Sequence, residues 1–563
     1  MANQIVVIGG VACGPKAAAR ARRLDPTAEI TIIERGDLLS YAGCGMPYYI
    51  QGEIATADEL MNTPAGALRD AAFFKNVKDI KVLGRTLAEK IDRERKVVEV
   101  IALETGEKSE IAYDKLILAV GADAVMPPFV GSDLKGVFRL NHPHDAEGIK
   151  SAVLDGCKRA VIVGAGLIGM EVAEALATHE LSVTMVEMMD SVVPAFLDPE
   201  IAVHLAKHLK AKGVNLMTGT RVVKLEGDDQ GRVTGVVTDN GTVEADLVLV
   251  AIGVRPNSKL ARDAGLEIGA TGAIKVNERL QTSDPDIYAG GDCVESTNRL
   301  TGQPCYVPLG STANKHGRII GDNVTGGKST FPGVLGTVIF KAFDFSVGRV
   351  GLSEKECMKQ GIPCVTALTP GPDRAHYYPT AKPMVLKMIS NAETGKLLGI
   401  QAVGMGDVAK RIDVVATALS YGAATTDIAE LDLGYAPPYS SAVDPLAHAA
   451  NVIDNKMNGI AKGLSPAQVK MKIDSGEDFV LLDVRSPQEV AAMALKNPRV
   501  VNIPLGKLRA RLGELPADKE IVAFCKISLR GYEAQRILNG AGFRNVSFLD
   551  GGLAGWPYSL ELG

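Results

Sequence analysis

The chain has 563 residues, 46% of them hydrophobic and 23% charged, with a formal net charge of −5. That length suits three or four globular domains, and the slight acidity excludes a general basic footprint for nucleic acid. Eight cysteines lack zinc-ligand spacing and no apolar run is long enough to span a membrane. The expectation is a cytoplasmic protein of a reducing compartment, without a metal site or a membrane partner.

The first element is a buried strand from Ile5 to Ile8; its apolar run stops at glycines too early for a signal peptide. Gly9-Gly10-Val11-Ala12-Cys13-Gly14 follows, then a helix from Pro15 to Leu24 and a strand from Ile30 to Ile33 that ends at Glu34 and Arg35. Strand, glycine turn, helix, strand and acid form a dinucleotide-binding unit. Its helix N-terminus can hold a pyrophosphate and Glu34 can accept from ribose hydroxyls. Gly9, Gly10, Ala12, Gly14, Glu34 and Arg35 are the candidate contacts. Val11 stands where a second glycine is usual, which predicts a differently shaped loop. Lys16, Arg20 and Arg23 recur at spacings that share one helix face. A solvated face and a phosphate-bearing ligand would both use them.

Cys44 sits in Ser40-Tyr41-Ala42-Gly43-Cys44-Gly45-Met46-Pro47-Tyr48-Tyr49, and the next cysteine is Cys157. With no local partner to resolve it, a redox-active Cys44 must cycle against an external sulfur or a sulfenic acid. The ordinary alternative is a small buried hydrophobe.

The strand from Leu116 brings Ala119 and Gly121 to a cofactor position. Ala160 to Val163 then leads into Gly164-Ala165-Gly166-Leu167-Ile168-Gly169, a full G-x-G-x-x-G that opens a helix through Ala177. The next strand, Ser182 to Val186, ends at Glu187, which favours a free ribose hydroxyl and therefore NADH over NADPH. Leu247 to Ile252 is a further buried strand, followed by Gly253, and Gly290-Gly291-Asp292 comes later. Two dinucleotide units followed by this Gly-Asp resemble the pyridine nucleotide–disulfide oxidoreductases. The resemblance implies FAD in the first unit, with Asp292 accepting from the ribityl chain. It also implies an inserted NAD-binding domain, a return to the FAD domain, a dimerisation domain, and Cys44 beside the flavin.

Strands from Val334 to Phe340 and from Met384 to Ile389 and a helix from Asp407 to Gly422 make up the next region. It carries His376-Tyr377-Tyr378-Pro379 and Tyr435-Ala436-Pro437-Pro438-Tyr439-Ser440. Interface packing is a common use of such tyrosines. With the single-cysteine segment, the two motifs resemble the coenzyme A-disulfide reductases. That resemblance implies a mixed disulfide of Cys44 with coenzyme A. It implies a homodimer in which Tyr377 and Tyr435 come from the other subunit. It also places coenzyme A phosphates against Lys16, Arg20 and Arg23, with Ser40 and Lys75 as further contacts.

The tail opens with a linker, Asn458 to Pro466, in which Ser465 can cap a helix beginning at Pro466. Phe479 to Arg485 ends in Asp-Val-Arg, and Ile521 to Phe524 runs into Cys525-Lys526-Ile527-Ser528-Leu529-Arg530-Gly531. Leu549 to Trp556 closes the chain. These segments resemble a rhodanese domain. Backbone N–H groups after Cys525 form a nest for an anion, and Cys525 with Arg530 could carry a persulfide. Ser528 replaces a usual glycine, which is expected to narrow the loop or change the sulfur donor.

The expected fold is α/β, with two Rossmann-like dinucleotide-binding domains. FAD is assigned to residues 1–115 plus 246–330 and NAD to 116–245. An α+β dimerisation domain follows at 331–455 and an α/β rhodanese domain at 464–563. The expected activity is FAD-dependent, NADH-driven reduction of sulfur–sulfur bonds at Cys44, in persulfides, polysulfides or coenzyme A disulfide. The alternatives are an NADH oxidase or peroxidase with a Cys44 sulfenic acid, and a sulfur-carrier or redox-sensing module.

Overall fold

A computed structural model describes residues 2–561. The chain divides into two compact units, Met1–Met188 with Gly213–Val334, and Met189–Lys212 with Leu335–Gly563. No helix of the described residues is long and apolar enough to cross a membrane.

The first unit holds two parallel sheets. One orders Ile287–Ala289, Lys115–Leu118, Gln4–Ile8, Glu29–Ile33 and Lys81–Leu83. Beyond the polar residues that open several of them, its strands are almost wholly apolar because both faces are covered. Ile5, Val7, Ile32 and Ile117 pack with Ala17, Ala18 and Ala21 of the Cys13–Leu24 helix and with Ala313 and Ile320 of the Gly310–Asn323 helix. On the other face, Val6, Ile8, Leu116 and Leu118 meet Ile91, Val98 and Val100 of an antiparallel three-stranded sheet. The second parallel sheet repeats the plan, ordering Asn215–Met217, Ser182–Val186, Arg159–Val163, Leu247–Val250 and Val137–Phe138.

Strand pairing shifts the boundaries at 116 and 246. Lys115–Leu118 pairs with Gln4–Ile8 and so belongs to the first sheet. Leu247–Val250 pairs with Arg159–Val163, and Val248 and Val250 complete the second core with Val161 and Val163. The chain crosses between the sheets just beyond each strand, where Ala122–Ala124 pairs antiparallel with Val254–Pro256. Met189–Lys212 also leaves the NAD-binding range, because buried Lys387 draws it into the second unit. The Lys387 ammonium lies 3.1 Å from Asp198, 3.0 Å from Glu200 and 2.5 Å from Glu354.

The second unit contains an antiparallel sheet ordered Val338–Ala342, Phe345–Gly351, Leu397–Gly404, Pro383–Asn391 and Cys364–Pro372. Its first strand starts at Val338 rather than Val334, after Gly333 and Gly336 turn the chain through positive φ. The helix near 407 spans Val408–Ser420, with the Asp407 side chain accepting from the Lys410 N–H. A separate parallel sheet orders Gly463–Leu464, Val546–Leu549, Glu520–Phe524, Phe479–Asp483 and Val500–Asn502. The stretch read as a linker therefore ends as an edge strand. Ser465 and Gln468 close a capping box on the helix Pro466–Asp474 that follows.

Candidate active site

Glu34 ends its strand and turns back onto the first glycine loop. Its two carboxylate oxygens accept the N–H groups of Gly10 at 2.6 Å and Gly36 at 2.8 Å. Gly9 holds φ +110°, and a Cβ there would collide with the Ala119 carbonyl. A Cβ on Gly14 would strike the Gly9 carbonyl, so the helix starts directly on the loop. That helix begins at Cys13 with Ala12 at its N-cap; it has no side-chain cap and no acid in its first turn. Its free N–H groups suit a pyrophosphate. Cys13 is buried under the Gly290 backbone, where a Cβ would come within 2.8 Å of its sulfur. His316 Nδ1 accepts the Gly291 N–H at 3.2 Å. Burial raises the Asp292 carboxyl to about 6. A half-buried acceptor beside an uncapped helix start and an acid-clamped loop fits FAD. Arg35 pairs with Asp123 at 2.9 Å.

The second glycine loop repeats the clamp, with Glu187 accepting the Ala165 N–H at 2.8 Å. Gly164 holds φ +105°, and a Cβ on Gly169 would meet the Gly164 carbonyl. A Cβ on Gly166 would meet nothing closer than the Ala251 carbonyl oxygen at 3.9 Å. The backbone at Gly166 therefore faces space that a nucleotide pyrophosphate can fill. Gly121 and Gly253 lie at the two crossings. The Gly121 carbonyl accepts from Asn257 and the Gly253 carbonyl from Val125, both at 3.0 Å.

Cys44 lies exposed in the turn Gly43–Gly45, just before the helix Met46–Gln51. Ser40 donates its N–H to the Gly10 carbonyl at 2.8 Å, which ties this segment to the first glycine loop. At its other end, His179 Nε2 meets the Ile50 carbonyl at 2.8 Å. His179 caps the helix Leu167–Thr178 that follows the second glycine loop. The Cys44 segment is thus fixed to both nucleotide units. Lys16, Arg23 and Lys75 are exposed, whereas Arg20 Nε is bound to Asp322 at 2.5 Å. Arg20 is therefore partly committed before any ligand arrives.

Tyr377 and Tyr435 lie in the second unit, 65% and 51% exposed. Their hydroxyls share a hydrogen bond, which raises the Tyr377 phenol above its ordinary range. The loops that carry them are joined by Arg374 to the Pro438 carbonyl at 2.8 Å and by Ala375 N–H to the Ser440 carbonyl at 3.2 Å.

Cys525 is buried at the end of the strand Glu520–Phe524. Its carbonyl accepts from Leu553 at 2.9 Å, and that of Lys526 accepts from Ala554 at 2.8 Å. Ser528 is held at φ +83°, the left-handed region that a glycine would enter without strain. Arg530 hydrogen-bonds Cys525 and forms a two-pronged pair with Glu489 at 2.8 and 2.6 Å. That pair, against the opposing effect of burial, holds the Glu489 carboxyl down to about 2.

Residues 3–317 match the profile of the pyridine nucleotide-disulphide oxidoreductases. The chain belongs to this family. Residues 337–447 match the family's dimerisation domain and residues 465–557 a rhodanese-like domain. The NAD-dependent persulfide reductase from A. fulgidus superposes with a TM-score of 0.93 and 47% identity, covering 98% of this chain and 100% of its own. The reduced CoADR-RHD of Bacillus anthracis superposes at 0.92 and 36% identity, covering 99% of this chain and 98% of its own. The NAD(P)H coenzyme A polysulfide/persulfide reductase of Pyrococcus horikoshii is 39% identical over 457 residues, which cover 80% of this chain and 99% of that protein. As a pyridine nucleotide-disulphide oxidoreductase, the chain uses FAD and a pyridine nucleotide.

Three residues at these sites escape the reading by motif. Glu489 is signalled only as the last residue of the Ser486 capping box. His316 belongs to a helix far along the chain from the Gly291 it supports. Glu171 follows the second glycine loop, where burial and then Glu174 raise its carboxyl to about 7.

Proposed function

We propose that this pyridine nucleotide-disulphide oxidoreductase uses NADH to reduce the sulfur–sulfur bond of persulfides and polysulfides at Cys44. The observation that carries the reading is the exposed Cys44, on a segment fixed at one end to the first glycine loop and at the other to the helix of the second. FAD bound in the first unit supplies the two-electron connection between NADH and sulfur. The Cys44 thiolate attacks the inner sulfur of R–S–SH, forming Cys44–S–S–R and releasing hydrosulfide. Two electrons then cleave that disulfide and return Cys44 and RSH. Lys16, Arg20, Arg23, Ser40 and Lys75 hold the phosphates of a coenzyme A-bearing substrate. Tyr377 and Tyr435 of a second subunit donate to the departing sulfur in a homodimer. Cys525 delivers sulfur as a persulfide within the rhodanese-like domain. Eight free thiols support a reducing compartment such as the cytoplasm.

The test is Cys44→Ser. NADH-dependent persulfide reduction should fall by roughly a hundredfold or more, with the visible flavin absorbance retained. Near-normal turnover by the variant would defeat the reading. Hydrogen peroxide should be turned over slowly by the wild type; rapid turnover would favour the sulfenic-acid alternative.

A further inference from the structure

The Cys525 loop presents less charge than its sequence suggests. Both terminal nitrogens of Arg530 are engaged by both oxygens of Glu489. Glu489 is itself fixed, because its N–H donates to the Ser486 hydroxyl at 3.3 Å and its carboxylate accepts the Ser486 N–H at 3.1 Å. The nearby Asp483–Arg485 pair is buried and self-neutralised at 2.6 Å. Lys526 is the remaining cation of the loop and is exposed, where salt screens it.

Two further observations describe what the loop offers instead. Ile527 and Leu529 stand 44% and 59% exposed on either side of Ser528. Ser528 is only 8% exposed, and its hydroxyl is buried without a partner among the described residues. A spare hydroxyl donor held at a strained backbone position costs stability unless something accepts from it. A sulfur atom carried on Cys525, three residues earlier in the same loop, would be such an acceptor.

We propose that this loop selects sulfur donors with no fixed anion beside the transferred sulfur, namely organic persulfides and chains of zero-valent sulfur, and rejects thiosulfate. Glu489 neutralises the cation that a thiosulfate sulfonate would need. Ile527 and Leu529 receive the carbon or sulfur tail, and Ser528 donates to the terminal sulfur. In the transfer, Cys525–S⁻ attacks the outer sulfur of R–S–SH. One S–S bond forms at Cys525, one breaks, and RS⁻ leaves with the electron pair. The inference rests on reading Cys525 as a persulfide carrier.

The experiment uses full-length, FAD-loaded protein without NADH and follows by mass spectrometry the gain of one sulfur on the Cys525 peptide. Butyl persulfide generated in situ should load Cys525 about tenfold faster than thiosulfate. Glu489→Gln should raise the thiosulfate rate by about tenfold and leave butyl persulfide within about twofold. Ile527→Ser with Leu529→Ser should weaken butyl persulfide alone, and it tests the same ratio should Glu489→Gln fail to fold. Equal or faster loading by thiosulfate in the wild type would overturn the proposal. So would an equal effect of Glu489→Gln on both donors, or no sulfur on Cys525 from either. NADH oxidation with butyl persulfide, measured in parallel, depends on Cys44. Its absence would sink the reductase reading while leaving the donor ratio to decide this one.

Discussion

Glu34 reaches back to accept the backbone N–H of Gly10 at 2.6 Å. Glu187 does the same to Ala165 at 2.8 Å, one residue after the first glycine of its own loop. In both units the acid placed to read a ribose also fixes the loop placed to hold the phosphates. A nucleotide bound there would meet one rigid piece at both of its ends, which would lower the ordering cost of binding.

The clamp predicts that any selectivity from Glu187 carries a structural cost. Glu187→Ser should reduce kcat/KM for NADH by about tenfold and raise it for NADPH, because a carboxylate no longer faces the 2′-phosphate. Steady-state kinetics with both nucleotides check this. A wild type that prefers NADPH, or a variant in which both fall equally, would mean that the clamp and not the charge is what matters.

The basic face of the first helix should act unequally. Arg20 is held by Asp322, whereas Lys16 and Arg23 are exposed. Lys16→Ala and Arg23→Ala should each raise KM for coenzyme A persulfide several-fold, by about the value of one charge-assisted contact, with small alkyl persulfides unaffected. Arg20→Ala should also lower thermal stability, because Asp322 loses its paired cation and keeps the Ser329 hydroxyl. Equal KM changes for small and large substrates would place the phosphates elsewhere.

The two dinucleotide units could be read because each is local. An apolar strand, a glycine turn and a helix follow one another, and the glycines report backbone approaches that nothing larger permits. The rhodanese-like domain was legible for the same reason, through Cys525, Arg530 and the closing glycines. What stayed hidden depends on distant pairs. Lys387 sits in the apolar strand Pro383–Asn391, and nothing near it in sequence announces that Asp198, Glu200 and Glu354 converge on it. The placement of Met189–Lys212 in the second unit follows from that convergence. Neither the meeting of Tyr377 with Tyr435 nor the neutralisation of Arg530 by Glu489 leaves a periodic trace.

His316 gives the fold a dependence on pH. Burial and then Lys315 push its imidazole down to about 4, and its Nδ1 must stay unprotonated to accept from Gly291. A folded-state pKa below the ordinary value of about 6.5 means that the unfolded chain binds the proton first. The stabilisation is complete above pH 6.5 and is lost as pH falls towards 4, by an amount on the order of 3 kcal/mol. Asp292 acts in the opposite sense, because its raised carboxyl stabilises the folded state at low pH and loses that contribution as pH rises through about 6. The difference between wild type and His316→Asn isolates the histidine. Thermal unfolding should show the wild type's melting temperature falling more steeply between pH 6.5 and 4 than the variant's. Parallel curves would exclude His316 as the cause.

The rhodanese-like loop is braced from outside its own domain. Asp550 follows the strand Val546–Leu549 and accepts from Lys456 at 2.5 Å and from the Leu368 N–H at 3.3 Å. Lys456 also donates to the Thr366 carbonyl at 2.7 Å. Lys456, Leu368 and Thr366 belong to the helix Pro445–Met457 and the strand Cys364–Pro372. Beyond Asp550, a Cβ on Gly552 would come within 2.6 Å of the Cys525 carbonyl oxygen, and Leu553 donates to that same oxygen. Lys456 is therefore expected to position Cys525 through a buried ion pair. Lys456→Met leaves the Asp550 carboxylate buried without its cation, a loss that costs about 3–5 kcal/mol in comparable pairs. The expected result is slower sulfur loading of Cys525, seen in kcat rather than in KM, while NADH-dependent reduction of small persulfides at Cys44 stays within about twofold. Lys456→Arg, which keeps the charge, should restore most of the loading rate. Equal losses at both cysteines would show that the pair holds the second unit together as a whole and does not tune the loop.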